Sequence, residues 1–143
     1  MPSAQGSKLD DKPRPETAAV VRLAAFRAAL RSFLHESERV ARASGLTPQR
    51  YLLLLMIKGA PDGSEQATVT ELMERLRLAQ STVTELVSRA EKAGLLEREA
   101  STIDARVAHL RLTEEGERRL ARVFTHLEVE REQLQDAFAK LSD

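Results

Sequence analysis

The spacing of apolar positions divides the chain into a run of helices with one stretch of strand between them. From residue 17 to about 43, Val20, Leu23, Ala24, Phe26, Leu30, Phe33, Leu34 and Val40 recur at helical intervals with arginines between them. That is the pattern of a long amphipathic helix, and Gly45 supplies the backbone freedom that stops it. Thr47-Pro48 opens a second helix. The threonine hydroxyl can accept a first-turn amide, and proline suits the first helical position because it has no amide to leave unpaired. This helix runs through Leu52–Ile57 and ends near Gly59-Ala60-Pro61, with a polar loop predicted over residues 61–66.

Thr68-Val69-Thr70-Glu71 has the spacing of a capping box, in which hydroxyl and carboxylate satisfy each other's backbone amides. A short helix follows with Leu72, Met73 and Leu76 inward, then another with Val83, Leu86, Val87 and Ala90 on one face, ended by Gly94. There the period shortens to two. Leu95–Arg98 and Arg106–Leu112 have strand character, joined by a polar link from Glu99 to Ala105, which predicts a β-hairpin. From Thr113 a single helix is expected to the C-terminus, striped by Leu120, Val123, Phe124, Leu127, Leu134, Phe138 and Leu141. The expected fold is mainly α with a small β-hairpin wing (α+β): a winged helix-turn-helix. Such an arrangement offers the N-terminal end of its second short helix to a major groove about 12 Å wide, with the hairpin reaching beside it.

Composition narrows the picture. A length of 143 residues fits one domain, and only 3% of residues are aromatic, so the core is built from Leu, Val and Ala. The absence of cysteine excludes a disulfide framework, a thiolate metal site and thiol-based sensing. Residues 1–16, with three prolines, Gly6 and several charges, read as a loose arm without the apolar stretch of a signal peptide. The longest apolar run, Tyr51 to Ile57, is too short to span a bilayer. A cytoplasmic protein with no membrane partner is expected. His35, His109 and His126 lack ligand spacing, so neither metal nor cofactor is expected. No glycine-rich phosphate loop or nucleophile elbow marks an enzyme. Net charge is zero, and residues 64–112 hold seven basic residues against eight acids. Bulk charge therefore gives nucleic-acid binding no support.

The order of motifs carries more. Gly45-Leu46-Thr47-Pro48, Thr68-Val69-Thr70-Glu71-Leu72, the run from Ser81 through Arg89 to Gly94-Leu95-Leu96-Glu97-Arg98, Asp104-Ala105-Arg106, and Leu110-Arg111-Leu112-Thr113-Glu114-Glu115-Gly116 follow one another at characteristic spacing. Together they resemble the MarR-type bacterial regulators over residues 18–141. The resemblance implies a single domain over residues 17–143. Residues 17–44 and 114–143 would supply dimerisation helices, and residues 46–113 the reader. It also implies a homodimer binding double-stranded DNA at a pseudo-palindromic operator, acting as a repressor and released by a small phenolic or aromatic effector. Gln80, Ser81, Thr82 and Thr84 would meet base edges, with Ser88 one turn further and Arg89 on a phosphate. Arg106 would enter the minor groove or contact the backbone, braced by Asp104, with Arg98 before the wing. Tyr51 and His35 are candidate ligand contacts. Ala79, Glu85 and Ala105 depart from the family pattern. Ala79 offers no capping side chain, which would move the helix start to Ser81 or Thr82.

Plainer readings stand beside these. Ser81, Thr82 and Thr84 also suit a helix start, Arg89 and Arg98 surface ion pairs, Arg106 a structural pair with Asp104, and Tyr51 core packing. Two other functions share the fold: a DNA-binding regulator without a ligand, and a winged-helix protein-interaction module, the latter favoured by the acidic reader.

Overall fold

The computed structural model describes residues 13–104 and 106–142. The first twelve residues of the predicted arm, and Ala105, lie outside them. Helix α1 (Thr17–Ala43) is followed by α2 (Pro48–Lys58), strand β1 (Gln66–Ala67), α3 (Val69–Leu76), α4 (Gln80–Lys92), β2 (Leu96–Ala100), β3 (Ala108–Leu112), α5 (Glu114–His126) and α6 (Glu128–Ala139). A 3-10 turn, Lys140–Ser142, closes the described chain. The strands form an antiparallel sheet in the order β1-β3-β2.

Local chemistry sets the helix starts. Thr47 Oγ1 accepts the Arg50 amide at 3.1 Å. In the capping box, Thr68 Oγ1 accepts from Glu71 N at 3.2 Å and Glu71 Oε1 accepts from Thr68 N at 3.0 Å. Gly45 and Gly94 turn the chain after α1 and α4 at φ +78° and +76°, a region that costs glycine nothing.

The core lies where α2, α3, α4 and the sheet meet. Leu53, Leu54, Ile57, Leu72, Val83, Val87 and Leu110 are fully buried there, each contributing about 1.5–3 kcal/mol by leaving water. Helix α5 is locked to the hairpin's base. Thr113 Oγ1 donates to the Gly94 carbonyl at 2.6 Å and accepts the Gly116 amide at 3.1 Å. A Cβ on Gly116 would lie 2.2 Å from the Leu95 carbonyl oxygen, so the close approach requires glycine. Lys58 joins α2 to α5, with Nζ 3.0 Å from Glu65 and 2.9 Å from Glu117, and both carboxylates raise its pKa.

Three expectations are corrected. The loop predicted over residues 61–66 ends in β1, whose Gln66 and Ala67 pair with Arg111 and Leu110. Two residues are too few for periodicity, and the pairing is remote in sequence. The hairpin strands are shifted from the predicted ones: β2 extends toward the tip as far as Ala100, while β3 begins only at Ala108, two residues after the predicted Arg106. Arg106 lies in the turn, because Asp104 draws its amide in at 3.0 Å and the Asp104 carbonyl accepts from Val107 at 3.0 Å. The single C-terminal helix breaks at Leu127, which is buried and whose amide turns to the Phe124 carbonyl at 3.3 Å. Helix α6 then folds back along α1, bringing the rings of Phe26 and Phe138 to 6.0 Å. Of the predicted stripe, Leu120, Val123 and Leu127 are buried, but Phe124 is 51% and Phe138 64% exposed.

Candidate nucleic-acid interface

Helix α4 is two-faced. Val83, Val87 and Ala90 are buried, while Gln80, Ser81, Thr84, Glu85 and Arg89 are exposed and Thr82 and Ser88 half-buried. Its N-terminus contrasts with that of α3. Where α3 is closed by a capping box, α4 begins after Ala79 with no side-chain cap. The start stays at Gln80 and does not shift to Ser81 or Thr82. The first-turn amides of α4 thus lack a side-chain acceptor, and the positive end of the helix dipole faces outward beside Gln80, Ser81 and Thr84.

Each predicted arginine has an acidic neighbour. Arg89 lies 2.6 Å from Glu85, one turn back on the same exposed face. Arg98, on β2, reaches across to Glu91 of α4 at 2.8 Å and ties the wing to the helix. Arg106 lies 3.2 Å from Asp104 with a side chain that is 91% exposed. The Arg106 amide, and then its guanidinium, hold the Asp104 carboxyl below the usual range. Glu85, the departure on α4, therefore stands as a counter-charge to Arg89. These ion pairs explain how a reader with no net positive charge presents arginines at all.

Two basic residues outside the sequence prediction lie near this surface. Arg77 ends α3 three residues before α4, exposed and in the left-handed conformation at φ +54°. Arg111 sits on β3 opposite Gln66 and Glu97. A basic residue where the tight turn between two short helices favours glycine was the available signal for Arg77. Arg111 needed the sheet register.

The two candidate ligand residues do not share a cavity. Tyr51 is buried and lines an apolar cleft of about 110 Å³ between α1 and α2, with Phe33, Leu34, Pro48, Leu52 and Leu55. Burial raises the pKa of its phenol. His35 is exposed on α1 and lines a separate hollow with Arg27, Arg31 and Leu34. Among the described residues, no helix is long and apolar enough to cross a membrane.

The MarR family model matches residues 44–106. The HTH-type transcriptional regulator YsmB of Bacillus subtilis is 38% identical over 76 residues, 53% of this chain and 50% of its own length. The match thus spans half of that curated relative. The transcriptional regulator Tm0710 of Thermotoga maritima superposes with a TM-score of 0.59 at 28% identity, over 81% of this chain and 74% of its own. Sco3205 of Streptomyces coelicolor, a MarR family transcriptional regulator solved in complex with DNA, gives 0.59 at 26% identity, over 89% and 78%. All three are transcriptional regulators. Residues 44–106, which hold the helix-turn-helix and the first strand of the hairpin, thus match the MarR family model, and the fold is similar to that of solved winged helix-turn-helix regulators of transcription.

Proposed function

We propose that the protein is a sequence-specific DNA-binding regulator of transcription, a repressor acting in the cytoplasm as a homodimer on a pseudo-palindromic operator. The observation that carries this reading is the uncapped N-terminal turn of α4. It presents Gln80, Ser81 and Thr84 to solvent from a helix whose other face is locked in the core. Thr82 and Ser88 flank that turn, Arg89 supplies a phosphate contact, Arg98 steadies the wing, and Arg106 reaches the minor groove with Asp104 behind it. Solved relatives include a complex with DNA.

The dimer is supported by what the terminal helices leave uncovered. Val20, Val21 and Leu23 on α1, and Val129 and Phe138 on α6, are exposed, more than an isolated soluble chain ordinarily leaves on adjoining elements. Arg22 Nε is out of solvent with no acceptor among the described residues. Helix α1 is rich in arginine, and α6 carries Glu128, Glu130, Glu132 and Asp136 against Arg131. Two copies can therefore pair basic with acidic surface.

Mobility shift of sheared genomic DNA tests the reading. Retardation that weakens as salt rises is expected. No retardation at low salt overturns it in favour of a protein-interaction module.

Regulation without a ligand is a second reading, favoured by the size of the Tyr51 cleft. At about 110 Å³ it is smaller than the ~150 Å³ cavity that holds benzene, so a phenolic effector seated against Tyr51 needs α1 and α2 to part. Titration of the DNA complex with salicylate separates the two readings, release favouring the effector.

A further inference from the structure

The wing tip carries the most exposed of the large apolar side chains found uncovered among the described residues. Ile103 is 96% exposed, three positions before Arg106. A lone apolar side chain on a surface is ordinary, so exposure alone assigns it nothing. Its backbone, however, is held. Ser101 Oγ accepts the amides of Ile103 at 3.2 Å and Asp104 at 3.3 Å. The Ser101 amide donates to the Val107 carbonyl at 3.0 Å, closing the loop. Asp104 Oδ1 accepts both the amide and the Nε of Arg106, at 3.0 and 3.2 Å. Held in this way, the backbone at Ile103 and Asp104 has little freedom left to lose on binding, and isoleucine is stiff at χ1. A preorganised aliphatic side chain thus stands in solvent three residues before the wing arginine.

We propose that Ile103 is a specificity-determining residue that packs into the minor groove of B-form DNA beside Arg106 and favours A·T pairs there. This rests on the DNA-binding reading above. Apolar side chains of this size enter the minor groove in proteins that bind it. Guanine places a 2-amino donor on the groove floor, whereas A·T pairs place none. Isoleucine has no acceptor for that donor, so it would be stripped of water and left unpaired. Packing Ile103 against sugar edges strengthens binding roughly tenfold by apolar burial. It neutralises no phosphate, so it leaves the salt dependence unchanged.

The test uses duplexes that the wild-type protein recovers from a random-sequence pool. Ile103→Ser is expected to bind them roughly tenfold more weakly, with the wild-type salt slope and an unchanged circular dichroism spectrum, while Ile103→Val keeps most of the affinity. Inosine·C pairs present the minor-groove face of A·T and the major-groove face of G·C. Placed beneath the wing, they should leave wild-type affinity intact where G·C pairs lower it, and the serine variant should not distinguish the two. Equal affinity of wild type and Ile103→Ser overturns the assignment while the DNA reading stands. A wild-type protein that retains no duplex at low salt removes the DNA reading, and the assignment with it.

Discussion

The reader and the terminal helices are built to different degrees of completion. In the reader, residues from α2 through β3 close a core around Leu53, Leu54, Ile57, Leu72, Val83, Val87 and Leu110, all out of solvent. Helices α2 and α3 there start on side-chain caps, and Asp104 pins the wing turn. Helices α1 and α6 touch along much of their length yet leave Val20, Val21, Leu23, Val129 and Phe138 exposed, and α6 has no buried residue. The reader is finished within one chain, whereas the terminal pair has apolar surface to spare. The same hydrophobic effect thus has two destinations in this molecule: one internal, one suited to a second copy.

The largest change expected from breaking this contrast is in the reader. Leu110→Ala empties a fully buried site on the central strand and should cost about 2–5 kcal/mol, read as a shift in the denaturation midpoint. Phe138→Asp puts a charge on the exposed terminal surface beside Phe26. It should weaken self-association at least roughly tenfold in sedimentation, because an unpaired carboxylate resists burial, while the reader keeps its secondary structure. A variant that loses both together would show the two regions to be one unit.

Smaller effects sharpen the picture within the reader. Arg106→Ala should weaken DNA binding and lower the salt slope by about one, with the dimer intact. The Asp104 carboxyl that steadies this arginine titrates below its usual range. Its contribution to the wing is therefore fully present above the unfolded value, about 3.9, and is lost only as pH falls through the lower folded value. Wing-dependent affinity should stay level from neutral pH down to about 5, as fluorescence anisotropy can check. Glu85→Gln removes the counter-charge to Arg89 and should raise non-specific affinity a few-fold, with a salt slope steeper by about one. An unchanged slope would mean that Arg89 does not face phosphate.

Much of this organisation was legible in the sequence, because its signals are local. The Thr47-Pro48 start, the Thr68–Glu71 box and the glycine stops after α1 and α4 each lie within one turn of the residues they govern. Most of the unread features depend on distant partners. Strand β1 exists because Ala67 meets Leu110, and the break at Leu127 because its side chain turns into the core; the wing turn, by contrast, is local, Asp104 capturing the Arg106 amide two residues on without any periodic signal. The candidate site divides the same way. The exposed face of α4 follows from helical periodicity, but the ion partners of Arg98 and the separation of Tyr51 from His35 required the folded chain. Ile103 and Arg77 carried no periodic signal, since each sits in a turn.

Dimethyl sulfate footprinting of the purified protein on a duplex it has recovered from a random pool tests the pairing of two α4 helices most directly, because the reagent reports guanine N7 in the major groove. Two protected major-groove segments, related by a dyad and centred about 34–36 Å apart, are expected. A single protected segment without symmetry, or a protein that sediments as one chain on the duplex, would contradict it.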